Sequence, residues 1–169
     1  VRAFSNRSRD GLGETYVFYG SDINGVVTHP GDETANLLTG TPQADVIVAG
    51  QDDDTLVGAG GPDALRAGQG ADVLRIGDAG FFRVDGGRGF DTLSLGDFHL
   101  DLTALPDNRI TGIEAVDLSH AGAQSVALSA LDLLNLSDTS NRLLVTGTAE
   151  DSVHITGDWT YVGFVAHAS

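Results

Sequence analysis

Five aspartates, Asp45, Asp54, Asp63, Asp72 and Asp91, stand nine, nine, nine and nineteen positions apart, each closing a glycine-rich stretch. Carboxylates in fixed register are hard oxygen donors, and the chemistry open to them is capture of a hard cation such as calcium. Gly50, Gly58, Gly60, Gly68, Gly70, Gly86, Gly87 and Gly89 crowd the intervening turns. Glycine permits the tight backbone such turns need and bares the carbonyl oxygens that complete a cation's shell. The chain has 20 Asp against 4 Glu. That preference suits metal chemistry, because the short side chain bends a turn and keeps its carboxylate close to the backbone.

The elements that position these residues are read from the apolar register. Ile47, Leu56, Leu65, Leu74, Val84 and Leu93 repeat at nine, nine, nine, ten and nine positions, and an Asp precedes five of them by two places. An internal repeat implies one small unit stacked on itself. Here the unit is a Gly-rich, Asp-ended turn followed by a three-residue strand, whose middle side chain alone turns inward. The units read GTPQADVIV, AGQDDDTLV, GAGGPDALR, AGQGADVLR, the ten-residue IGDAGFFRVD, and GGRGFDTLS, over residues 40–94.

These units resemble the RTX repeat, a nonapeptide with early glycines, Asp at the sixth place and a large apolar residue at the eighth; residues 86–94 fit it at every defined position. The resemblance implies an all-β fold, a right-handed parallel β-roll or β-solenoid in which two nonapeptides make one coil. Loops two repeats apart would then lie above one another. Asp45 and Asp63 would share one edge, and Asp54, Asp72 and Asp91 the other, with a bulge taking up the extra residue near 76–85. Calcium would sit between stacked loops at about 2.3 to 2.6 Å from carboxylate and carbonyl oxygens, about three or four ions in all. The first unit has Thr41 and Gln43 where glycines are expected, which makes it an opening turn of weaker affinity. The fifth has Phe82 in place of the repeat Asp, leaving Asp78 as the substitute ligand there.

Residues 1–36 form a flanking segment whose strand, Thr15 to Tyr19, resembles the closing strand of an FG-GAP propeller blade. Residues 37–94 form the roll. Residues 95–169 form a β-rich cap, since an open stack exposes apolar cross-section and strand edges. Strands are expected around Leu100, Ile113 to Leu118, Val126 and Leu128, Leu143 to Thr146, Ser152 to Thr156 and Thr160 to Val165, with one short helix, Ala130 to Leu136, capped by Ser129.

A net charge of -15, with all nine basic residues Arg, argues against a nucleic-acid or anionic-membrane partner. There is no Cys, so no disulfide or thiolate metal site forms, and no run of 18 apolar residues suggests membrane insertion. The five His lack metal-ligand spacing, and no GxSxG or HExxH phrase occurs, so no catalytic residue is assigned and the chain reads as a non-enzyme. Piled like charges cost about 2 to 4 kcal/mol per close pair at an effective dielectric of 20, against a stability of about 5 to 15 kcal/mol. Calcium reverses that sign, so ion binding becomes folding energy. The resemblance further implies secretion through a type I channel as an unfolded chain and folding outside the cell. It points to an adhesin with a cell-surface or matrix ligand, the alternative being the C-terminal folding domain of a secreted protease or lipase.

Overall fold

The computed structural model describes residues 27–120, 122–137 and 142–157; the strands expected at Thr15 to Tyr19 and Thr160 to Val165 lie outside them. Short apolar runs punctuated by turns fold here into two parallel sheets facing each other. Strands β1 (His29–Pro30), β3 (Val46–Gln51), β5 (Ala64–Gln69), β7 (Arg83–Arg88) and β10 (Ile110–Thr111) make a five-stranded sheet. Strands β2 (Leu37–Thr39), β4 (Thr55–Val57), β6 (Val73–Ile76), β8 (Thr92–Leu95), β11 (Ala115–Asp117) and β13 (Leu144–Thr146) make a six-stranded one. The chain alternates between them, and every pairing is parallel. Ile47 lies opposite Leu65 and Leu56 opposite Leu74, so one coil takes two nonapeptides. This is the all-β parallel roll that the repeat implied.

The core is the apolar register itself. Ile47, Leu56, Leu65, Leu74, Val84 and Leu93 are at most 1% exposed, each contributing about 1.5 to 3 kcal/mol by burial. In the five-stranded sheet β3, β5 and β7 run to six residues, and a second inward position holds the small side chains Ala49 and Ala67. On the opposite sheet Ile76 and Leu95 fill the equivalent space.

The extra residue of the fifth unit forms no bulge within a strand. Leu65 pairs with Val84 and Leu74 with Leu93, both 19 positions on, with the ladders unbroken. The loop between β6 and β7 absorbs it, which sacrifices no inter-strand hydrogen bond. Phe81 turns into the core while Phe82 turns out.

Past Leu95 the coil gains a third side. Strands β9 (His99–Asp101), β12 (Ser125–Ser129) and β14 (Ser152–Thr156) form a separate parallel sheet. The chain visits all three sheets in turn through β10, β11 and β12. Helix α1 (Ala130–Leu136) then stands where the five-stranded sheet would take its next strand. Ser129 caps the helix through a reciprocal capping box with Asp132. The Ile113 N–H donates to the Leu136 carbonyl, tying the helix end to the turn after β10.

Candidate metal centre

At each edge of the roll, the residue just before a strand projects its carboxylate toward the neighbouring coil. The Asp45 N–H donates to Asp63 Oδ1 at 2.9 Å, which joins the two on the first edge. On the second edge Asp54 N–H donates to Asp72 Oδ1 at 2.7 Å, and Asp72 N–H to Asp91 Oδ1 at 2.9 Å. The stacked acids therefore meet through backbone donors, and part of their repulsion is offset before any cation enters.

The second column is longer than the repeat pattern showed. Asn36 N–H donates to Asp54 Oδ1 at one end, and Asp91 N–H donates to Glu114 Oε2 at the other. Glu114 is buried and also accepts from the Ser137 hydroxyl. Five residues, Asn36, Asp54, Asp72, Asp91 and Glu114, thus form one ladder.

The second carboxylate oxygen separates two kinds of aspartate. Asp45 Oδ2 accepts from both the N–H and the hydroxyl of Thr41, at 2.6 and 2.8 Å, and His29 Nδ1 lies 3.6 Å from its Oδ1. Asp151, on the third sheet's edge, is held in the same way: Oδ2 accepts from Thr148 and Oδ1 from the Gln124 N–H. In contrast, Oδ2 of Asp54 and of Asp72 is buried with no hydrogen-bond partner, in residues 1% exposed. A buried partnerless carboxylate oxygen is costly unless a positive charge reaches it.

The titration behaviour follows the same division. Burial raises Asp63 to about 6, with the charges of Asp45 and Asp78 adding to it against the Asp45 N–H bond. Burial likewise raises Asp72 to about 6, with Asp54 and Asp53 adding. Asp54 is raised, again chiefly by burial. For Asp45 burial acts upward too, but the Thr41 hydrogen bonds outweigh it and the carboxyl lies below its usual value. Asp151 is lowered, first by the Thr148 and Gln124 backbone donors.

These observations fit a hard cation. Among the described residues no three His, Asp or Glu side chains converge on one point, so an ion at these edges draws much of its shell from carbonyl oxygens, as calcium readily does. The glycines keep those carbonyls close. A Cβ at Gly58 would lie 2.7 Å from Asp63 Oδ2, and one at Gly86 2.9 Å from Asp91 Oδ2. Gly70 and Gly89 stack at the fourth place with φ of 145° and 146°, and a Cβ at Gly89 would overlap the Gly70 carbonyl oxygen. Gly50, Gly60, Gly68 and Gly87 also take positive φ in these loops. Asp78 projects beside Gly60, one coil on, close enough to act on Asp63.

Sequence reasoning missed several participants. Residues 31–39 form a unit of their own, with Asn36 at the sixth place and Leu38 facing Leu56, signalled by Gly31 and by the nine-position step from Leu38 to Ile47. Gly61 holds the fourth place of its unit at φ 98°, beside Gly60. Glu114 lies outside the repeat, and only the ladder reveals it.

A family model described as the RTX calcium-binding nonapeptide repeat, in four copies, matches residues 30–65 and 57–75. No curated protein and no solved structure matches the chain.

Proposed function

We propose, for a chain whose residues 30–75 are RTX calcium-binding nonapeptide repeats, that it is a calcium-folded, non-catalytic module of a secreted or cell-surface bacterial protein serving adhesion. The observation that carries this reading is the pair of buried, partnerless Oδ2 atoms of Asp54 and Asp72 inside a ladder of carboxylates. Calcium supplies the positive charge those oxygens lack. Asp54, Asp63, Asp72 and Asp91 are the carboxylate ligands, with Asp78 at the irregular coil. Loop carbonyls around Gly50, Gly58, Gly60, Gly68, Gly70, Gly86, Gly87 and Gly89 complete the shells. Asp45, already satisfied by Thr41, binds most weakly.

Because the unfolded chain holds no such site, ion binding is coupled to coil closure. That coupling suits export as an unfolded chain through a type I channel, with folding where calcium is plentiful. No helix among the described residues is long and apolar enough to cross a membrane. Residues 95–169 act as the cap: α1 takes the position beyond β10, and Glu114 with Ser137 closes the acidic ladder. A calcium-stiffened stack of parallel coils suits a surface protein that must keep its shape outside the cell.

Calorimetric titration of the metal-free chain with calcium, beside a magnesium control, tests the reading. Binding of several calcium ions with a large heat of folding is expected, and magnesium should be far weaker because it demands rigid octahedral geometry. Absence of calcium binding at millimolar concentration overturns it.

A further inference from the structure

We propose that the irregular fifth unit builds a binding groove for a carboxylate-bearing sugar, a site distinct from the calcium ladder. On the first edge the acidic column runs Asp45, Asp63 and then stops, because Phe82 occupies the next place and its N–H donates to the Asp63 carbonyl at 2.7 Å. The residue that breaks the repeat is thus set where a ligand carboxylate stood one coil earlier. An open groove of about 600 Å³ begins there, lined by Pro62, Phe81, Phe82, Arg83, Pro106 and Arg109.

Its charge runs against the rest of the molecule. Val84 pairs with Ile110, and the Val84 N–H donates to the Arg109 carbonyl at 2.8 Å, so Arg83 and Arg109 are neighbours across the parallel ladder. Arg109 lies over the Phe81 ring at 4.5 Å, a cation–π contact that fixes its guanidinium plane, and its Nη2 donates to the Ala79 carbonyl at 3.5 Å, so one end of the fork is anchored where the side chain lines the groove. Arg83 reaches Asp85 with Nη2 at 3.5 Å, while its Nε is buried with no partner. Two adjacent guanidinium groups match a carboxylate in bidentate fashion. The net charge of -15 repels polyanions, so the fitting ligand carries a single charge on a mostly neutral body. Phe82, 48% exposed, and the two proline rings offer flat apolar surface against which the C–H face of a sugar packs.

The test is binding of 3′-sialyllactose and of lactose to the calcium-loaded chain, followed by NMR or calorimetry. Sialyllactose should bind about tenfold or more tightly than lactose, because the paired donors are left unmatched by the neutral sugar. Arg83→Gln and Arg109→Gln should each remove that advantage while leaving the calcium titration unchanged, which separates the groove from the metal reading. Equal affinity for the two sugars overturns the proposal, as does unchanged sialyllactose binding in both variants. Acetate competing as strongly as sialyllactose would also overturn it, by reducing the groove to a bare anion site.

Discussion

Replacing Asp72 by Asn should change stability in opposite directions with and without calcium. Asparagine keeps an oxygen for the Asp54 N–H, now bonded at 2.7 Å, but removes the charge beside Asp54 and Asp53. In the metal-free fold the Asp72 carboxyl sits at about 6 against an ordinary 3.8. That difference amounts to ~3 kcal/mol against the charged form at neutral pH, and screening at the edge of the roll reduces it to ~1–2 kcal/mol. Asp72→Asn should therefore fold more readily in chelator, read as less osmolyte needed to drive folding by circular dichroism. In saturating calcium the same change removes an anionic ligand, so the calcium midpoint should rise at least ~tenfold, or ~1.4 kcal/mol. Asp72→Ala serves as the contrast. It strands the buried Asp54 N–H and should cost ~1–3 kcal/mol even in chelator. If Asp72→Asn were destabilised equally in both conditions, the carboxylate would be a structural acceptor only and the metal argument would fail.

Acid should partly replace calcium. Asp63 and Asp72 titrate near 6 in the metal-free fold against 3.8 unfolded, so the folded chain holds more protons between those values. Metal-free stability should then fall as pH rises from about 4 through 6. Circular dichroism in chelator at pH 5 and pH 7.5 checks this, and more β signal at the higher pH would contradict it. Thr41→Val removes the hydroxyl that satisfies Asp45 Oδ2. A loss of ~1 kcal/mol is expected by urea unfolding, similar with and without calcium. Gly89→Ala forces a Cβ at φ 146° onto the Gly70 carbonyl. It should cost ~2 kcal/mol or more and weaken calcium binding together, whereas Gly157→Ala, exposed and with open space around it, should add only the local strain of a φ of 96° and leave the ion titration alone.

The fold was legible because its period is short and its core residues are the repeat itself. Ile47 to Leu93 mark one inward position on each strand from β3 to β8, and the 18-residue coil follows from two nonapeptides. Helix α1 was legible from Ser129 and the apolar residues after it, since a capping side chain acts locally. The third sheet was not, because its strands pair across 26 or 27 residues, too far apart and too dissimilar to show a beat. Of the site, the acidic columns were visible and their chemistry was not. Which oxygen is satisfied depends on a Thr four residues earlier for Asp45 and on burial for Asp54 and Asp72. Glu114 joins the ladder only because β11 pairs with β8.

Amide hydrogen exchange at Asp54 and Asp72, whose N–H groups bridge successive coils, tests the coupling of ion to fold most directly. With calcium both amides should exchange slowly, at rates set by global unfolding. In chelator they should exchange close to the rate of an unfolded chain. Equal, strong protection in both conditions would show that the coils close without the ion, and would contradict the account.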